Sequence, residues 1–190
     1  MPLALRFVSA PLLATLLVMS CSSAPPEPPA RPPTPAGWTT ITVDSGDLRM
    51  ALPPWIVAFE STAALFANEV PAPGAAAFLE LIAEGPRTAQ PQPVAGERLD
   101  EWLWRKVGPR VDRAGGSVQP VGLPSGSGVV IDLVLRADTP LASRLAAYAI
   151  RTPAGVAFLL IDGPPADWTA HAADVALIPI LMELGPGRAD

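Results

Sequence analysis

The sequence predicts an α+β fold, an antiparallel β-sheet flanked by helices. Three observations carry that reading. Two stretches alternate apolar and polar residues around short Gly- or Pro-containing breaks, the signature of hairpins. One mid-chain stretch repeats its apolar residues at helical spacing, and a second helical stretch closes the chain. The 190 residues are 49% apolar and only 16% charged, which suits a packed core and not a disordered chain.

In chain order, residues 38–43 are Trp-Thr-Thr-Ile-Thr-Val, rich in β-branched side chains. Asp44-Ser45-Gly46 reads as a turn, and Leu48, Met50 and Leu52 then alternate with Asp47, Arg49 and Ala51, completing a hairpin. Pro53-Pro54 breaks it. Residues 56–60 and 64–68 read as two further short strands, and the Ala-rich stretch 76–83 as another. Residues 87–95 form a polar, Pro-containing loop. Residues 97–111 are the clearest helix: Leu99, Trp102, Leu103 and Val107 share one face. Glu97, Asp100 and Glu101 open this helix while Arg105, Lys106 and Arg110 close it, which complements the helix macrodipole. Glu101 and Arg105 stand at i,i+4 spacing, correctly oriented for an ion pair. Gly108-Pro109 ends or kinks the helix.

Further on, residues 129–136 alternate as a strand, with Val129, Ile131, Leu133 and Leu135 on one face. Residues 144–152 and 156–162 form a second hairpin around Pro153-Ala154-Gly155. Its second arm is apolar on both faces, the mark of a strand covered on both sides. From about residue 167 to 184 the chain reads as one helix, with Asp167 as N-cap, Trp168, Ala172, Val175 and Met182 on one face, and Pro179 as a kink near its end.

The N-terminus reads as an address. Arg6 precedes an apolar run from residue 7 to 19, too short to span a bilayer core of about 30 Å as a helix. The run ends in Val18-Met19-Ser20-Cys21, which resembles a bacterial lipobox: aliphatic at −3, small at −1, then the Cys that is acylated. Met19 departs from the usual small residue at −2. Residues 1–20 are thus expected to be a signal peptide and Cys21 the lipidation site. Ser22 in place of Asp resembles the pattern for outer-membrane delivery. Residues 21–37 form a Pro-rich tether, with seven prolines between positions 25 and 35, which favours extended polyproline II. Fully extended, it would stand the domain off by roughly 50 Å. The domain itself is expected at 38–184, with a tail at 185–190.

Composition excludes several function classes. A net charge of −5 disfavours nucleic acid as a partner. One Cys, one His and a lone lysine, Lys106, leave no material for a disulfide scaffold, a Cys/His zinc site or a lysine-dependent phosphate loop. Ser125-Gly126-Ser127-Gly128 lacks the G-x-S-x-G spacing of a nucleophile elbow and reads as a loop or turn. His171 is read as a partly exposed helix residue before a general base. Asp132, Asp138, Asp162, Asp167 and Asp174 make no paired-carboxylate motif. Trp102 and Trp104 lie about 200° apart on their helix. Trp102 therefore faces the sheet, while Trp104 is either packing or part of an exposed apolar patch that docks a partner. Tyr148 carries the same two readings.

The order of elements resembles the PsbP/Mog1-like fold, an antiparallel sheet sandwiched by helices (α/β/α), which recurs in small bacterial lipoproteins of the DcrB and LpqN kind. Residues 41–43 followed by Leu52-Pro53-Pro54-Trp55, the helix at 97–111, the hairpin from Ala147-Tyr148-Ala149 to Ile161, and the closing helix from Trp168 to Met182 carry the likeness. The two prolines before Trp55 and Pro179 in the last helix depart from it. The resemblance implies a non-enzyme with binding or assembly roles, and it brings no catalytic residues and no cofactor. The expectation is a membrane-tethered envelope lipoprotein acting on an envelope protein, with Trp104 and Tyr148 as candidate contacts. A carrier of a small apolar ligand or lipid is the alternative, and an envelope hydrolase a more remote one.

Overall fold

The computed structural model describes residues 28–43, 47–60, 64–69, 79–108, 111, 116–135 and 142–185. The expected signal peptide, Cys21, the expected turn at 44–46, Asp138 and most of the expected tail lie outside them. The elements are β1 (Thr39–Thr42), β2 (Leu48–Leu52), β3 (Ile56–Glu60), β4 (Ala64–Glu69), β5 (Glu80–Glu84), α1 (Leu99–Val107), β6 (Val118–Leu123), β7 (Gly126–Leu135), β8 (Ser143–Thr152), β9 (Gly155–Gly163), α2 (Pro165–Ala170), α3 (Ala172–Leu181) and β10 (Glu183–Leu184). Seven strands form an antiparallel sheet in the order β3-β4-β5-β9-β8-β7-β6, and β1-β2-β10 form a small one. The fold is α+β, as the patterning predicts.

The doubly apolar β9 takes the central place in the large sheet. Its side chains alternate strictly: Ala157, Leu159 and Ile161 enter one core, Val156, Phe158 and Leu160 the other. The first core lies between the large sheet and a layer made of β2, α2 and α3, with Leu48, Met50, Trp168, Val175 and Ile178 closing it. The second lies beneath α1, whose Trp102, Leu103 and Val107 are fully buried. The helical spacing of those residues thus places the α1 face as expected.

Several details differ from the sequence reading. The strand β6 was not expected, because Pro120 and Gly122 make its short apolar alternation look like loop. Gly126 to Gly128 belong to β7, so only Pro124 and Ser125 of the Gly/Ser stretch form the turn. Gly128 is needed there: a Cβ would lie 2.1 Å from the Ala149 carbonyl oxygen of the neighbouring strand. Arg105 pairs with Glu97, at 2.8 Å, and not with Glu101. Glu101 instead accepts the Arg98 N–H at 3.3 Å, so it caps the helix start.

The closing helix is two helices. His171, at φ −112° and ψ 19°, ends α2 and begins α3. That break resets the helical phase, which is why Ala172 is exposed and not on the apolar face. Pro164 occupies the α2 N-cap, with Asp167 inside the first turn. Helix α3 continues past Pro179 to Leu181, and Met182 then turns extended into β10. The stretch read as a tether touches the domain within its described part: Arg31 Nη1 donates to Glu183 Oε1 at 2.8 Å and Nη2 to the Met182 carbonyl at 3.2 Å.

Candidate functional site

The two faces of the large sheet are not covered equally. Strands spaced about 4.8 Å apart make a seven-stranded sheet roughly 29 Å across. A nine-residue helix is about 13 Å long and roughly 10 Å wide. Helix α1 rests on β7 and β8, so it shields the β6 side of its face and leaves the β3 side open. The register makes this visible along one row of side chains, Ala147–Leu160–Ile82–Phe66–Phe59. Ala147 and Leu160 are buried and Ile82 is half-buried. Phe66 is then 42% exposed and Phe59 58% exposed. Val57 lies two residues from Phe59 on the same face and is 46% exposed. Three large apolar side chains thus form one contiguous exposed patch on the β3–β4 hairpin. The opposite face of that hairpin is closed, with Ile56, Leu65 and Ala67 in the first core. Such a patch costs solubility and marks a docking surface more often than scattered apolar residues do.

A polar cluster fixes the start of this hairpin against the C-terminal helices. The Trp55 ring stacks on the His171 imidazole, with centroids 3.8 Å apart and planes at 17°. Trp55 Nε1 donates to Asp174 Oδ2 at 2.8 Å, and His171 Nε2 lies 3.1 Å from Glu69 Oε1. Asp167 stands nearby, its carboxyl raised above the usual range by burial and by the Glu69 charge, against the opposing pull of His171. The partners of His171 are an indole and a carboxylate. Through these contacts the arrangement clamps β3 and β4 to the α2–α3 break.

The residues singled out by sequence fall elsewhere. Trp104 is half-buried on the second core and packs near Gly116, where a Cβ would come within 2.8 Å of the indole. Tyr148 is half-buried on the first core. Burial raises its phenol above the ordinary range, as does the Asp132 charge, while Arg144 opposes the shift. Ser125 Oγ is buried with no hydrogen-bond partner among the described residues. It borders two clefts of about 410 Å³, one lined by Arg31, Arg49 and Glu183, the other by Arg87 and Thr152. Asp132 is held by Arg144 through two hydrogen bonds, at 3.0 and 2.7 Å. Asp162 accepts from the Ser143 hydroxyl. Among the described residues no group of three His, Cys, Asp or Glu side chains is placed to hold a metal, and no helix is long and apolar enough to cross a membrane.

The exposed patch, Val57, Phe59 and Phe66, was missed in the sequence. Its one signal there is that residues 56–59, Ile-Val-Ala-Phe, are apolar on both faces, as β9 is. In β9 that pattern follows from a central position. In β3 it occurs at an edge.

No family model and no curated protein sequence matches this chain. Solved structures do. The solution structure of the cyanobacterial PsbP protein of Synechocystis (CyanoP) aligns with a TM-score of 0.50 at 4% identity, covering 79% of this chain and 94% of that one. The Saccharomyces cerevisiae Ran-binding protein Mog1p aligns with a TM-score of 0.47 at 8% identity, over 77% and 95% of the two chains. A Bacteroides thetaiotaomicron protein aligns with a TM-score of 0.49 at 10% identity, covering 78% of this chain. This chain spans about half of that protein, 49% of its length. The architecture is that of the PsbP/Mog1-like proteins: an antiparallel sheet with a few helices, in the α+β class.

Proposed function

We propose that this protein is a lipid-anchored envelope protein that acts as a non-catalytic binding or assembly module, and that it docks a partner protein on the Val57–Phe59–Phe66 patch. The observation that carries the docking is the uncovered end of the α1 face, where exposure climbs from a buried Leu160 to a Phe59 that is 58% exposed. Aromatic side chains at the centre of a desolvated contact supply much of the energy of protein interfaces. The anchor rests on Cys21 at the end of a short apolar run. Of the clefts beside Ser125, the one lined by Arg31, Arg49 and Glu183 does not favour an apolar ligand, while the other sets Arg87 and Thr152 beside Pro153, Ala154 and Leu184.

Two measurements test the two halves. Membrane fractionation of Cys21→Ala tests the anchor: release from membranes is expected, and retention through carbonate washing refutes acylation. Quantitative crosslinking from native membranes, comparing the wild type with Phe59→Ser, tests the docking. Loss of specific adducts in the variant is expected, and an unchanged adduct pattern refutes the patch as the contact.

A further inference from the structure

Resting on that reading of the patch, we propose that the outer edge of β3 accepts an extended segment of a partner protein as an eighth strand of the large sheet. The ladder decides which groups are on offer. The Glu69 N–H donates to the Leu79 carbonyl at 2.8 Å, so the main-chain groups of Glu69 point towards β5. Glu69 faces Ile56 in the register, and that pair is therefore a non-hydrogen-bonded one. Alternation then assigns Val57 and Phe59 to the ladder with β4, and turns the main-chain groups of Ile56, Ala58 and Glu60 outwards. The Ile56 N–H agrees: it donates to the Pro53 carbonyl at 3.1 Å and not to β4. Among the described residues no strand pairs with β3 on its outer side.

The two edges of the sheet are built differently. The far edge, β6, carries Pro120, which has no N–H to offer, and Gly122, which weakens a strand, and the two deter pairing. The β3 edge has no Pro, Lys or Arg between residues 56 and 60. It is protected by none of the devices that the other edge uses, and it has Val57 and Phe59 exposed beside it. An incoming strand would hydrogen-bond to Ala58 and Glu60 and lay every second side chain against Val57 and Phe59, with Phe66 one strand further in. The segment that fits is about five residues long, with apolar residues at alternate positions and no proline opposite Ala58.

A second copy of this chain fits less well. Phe59 and Phe66 expose about half of their surfaces. A two-fold pairing of β3 with itself would bury on the order of several hundred Å², short of the ~1,200 Å² of a stable dimer. Main-chain hydrogen bonds serve either occupant, but a flexible segment can follow β3 without bringing a second folded domain against the edge.

The probe is a random decapeptide library displayed on phage, selected on the full chain. Enriched peptides are expected to alternate apolar residues at a period of two and to lack proline in that stretch. Their affinity is then measured on Ala58→Pro, Ala58→Ser and Phe59→Ser, with a cooperative thermal transition confirming that each variant folds. Proline at position 58 removes only an outward N–H and leaves the β3–β4 ladder whole, whereas serine keeps the N–H. Binding should weaken at least ~10-fold in Ala58→Pro and stay within ~3-fold in Ala58→Ser. If Phe59→Ser abolishes binding but Ala58→Pro does not, the patch docks a partner without strand addition, and this inference falls alone. If neither variant matters, or nothing is enriched, the patch reading falls with it. If Ala58→Pro fails to fold, N-methylation of Ala58 in a semisynthetic chain removes the same donor, and unchanged affinity there overturns the proposal. Micromolar self-association abolished by Ala58→Pro would make the occupant a second copy and overturn the assignment to a partner segment.

Discussion

Two aromatic residues on the same side of the large sheet, one on α1 and one on β3, should respond unequally to truncation. Trp102 is fully buried beneath α1. Its ring meets Phe158 edge-on, with centroids 6.2 Å apart and planes at 80°, and its Nε1 donates to the Pro91 carbonyl at 2.7 Å. Trp102→Ala removes a large ring from a closed space, which costs about 3–5 kcal/mol, and leaves the Pro91 carbonyl without its donor at a further cost of ~1 kcal/mol. Phe59 is 58% exposed, so Phe59→Ala opens no cavity. What it loses is the cross-strand pair with Phe66, worth ~0.2–1 kcal/mol, and some strand propensity, worth under ~1 kcal/mol. Urea unfolding followed by circular dichroism should therefore separate the two variants by at least ~2 kcal/mol. Trp104→Ala should fall between them, as a half-buried ring. A Phe59→Ala loss equal to that of Trp102→Ala would falsify the patch, because Phe59 would then be packed and not presented. An aromatic ring that stability hardly needs, at a place where solvent reaches it, fits the proposed contact with a partner.

Tyr148 is the only tyrosine, so its phenolate absorbance reports one site. Its folded form holds the proton above the reference value of 10.0, so the native state binds more protons there and stability should fall as pH rises beyond about 10; Tyr148→Phe should flatten that limb, and an unchanged limb refutes the burial. Gly128→Ala should cost ~1–3 kcal/mol or more in thermal unfolding, because the new Cβ meets backbone and not a movable side chain; a neutral variant would mean that β7 and β8 lie further apart than described. Arg31→Ala should change stability by under ~1 kcal/mol, as for an exposed ion pair, but should lower the NMR order parameters of the non-proline residues between 30 and 37; unchanged order would show that Arg31 does not hold this stretch.

Much of the fold is legible because period and burial agree. The strands at 48–52 and 156–161 alternate or run apolar, and α1 carries its buried face at helical spacing. What failed did so for local reasons. Proline and glycine in β6 hide a strand whose partner β7 supplies the ladder, since an edge strand tolerates both. The α2–α3 break has no Gly or Pro to announce it. It comes from His171, drawn out of helical geometry where Trp55 stacks on its ring and Glu69 meets its Nε2. Those partners are 116 and 102 residues away in the chain, and no local pattern can signal them. The proposed patch was missed for a different reason. Tryptophan on a helix and tyrosine in a hairpin draw attention by residue type, and the structure half-buries both against the two cores. Exposure of Phe59 and Phe66 depends on strand order and on how far α1 reaches, and neither quantity is written in the segment 56–69.

The clasp and the patch lie on opposite sides of the large sheet, and this bears on how such a module would work. Arg31 meets Glu183, which also accepts from Arg49 of β2 at 3.0 Å. The small sheet of β1, β2 and β10 covers the first core, whereas Val57, Phe59 and Phe66 belong to the face of the second. On the proposed anchor at Cys21, only ten residues separate the membrane from the clasp, about 31 Å of extended chain in place of roughly 50 Å. Chain from the membrane then arrives on one face of the sheet while the patch is presented on the other. A single added strand is a weak contact, but two partners held in one envelope meet at an effective concentration far above their average one. Releasing the clasp with Arg31→Ala should therefore leave peptide affinity in solution unchanged and alter crosslinking only in membranes. If solution affinity fell as well, Arg31 would be acting on the β3 edge itself, and the division of the domain into an anchored face and a binding face would be wrong.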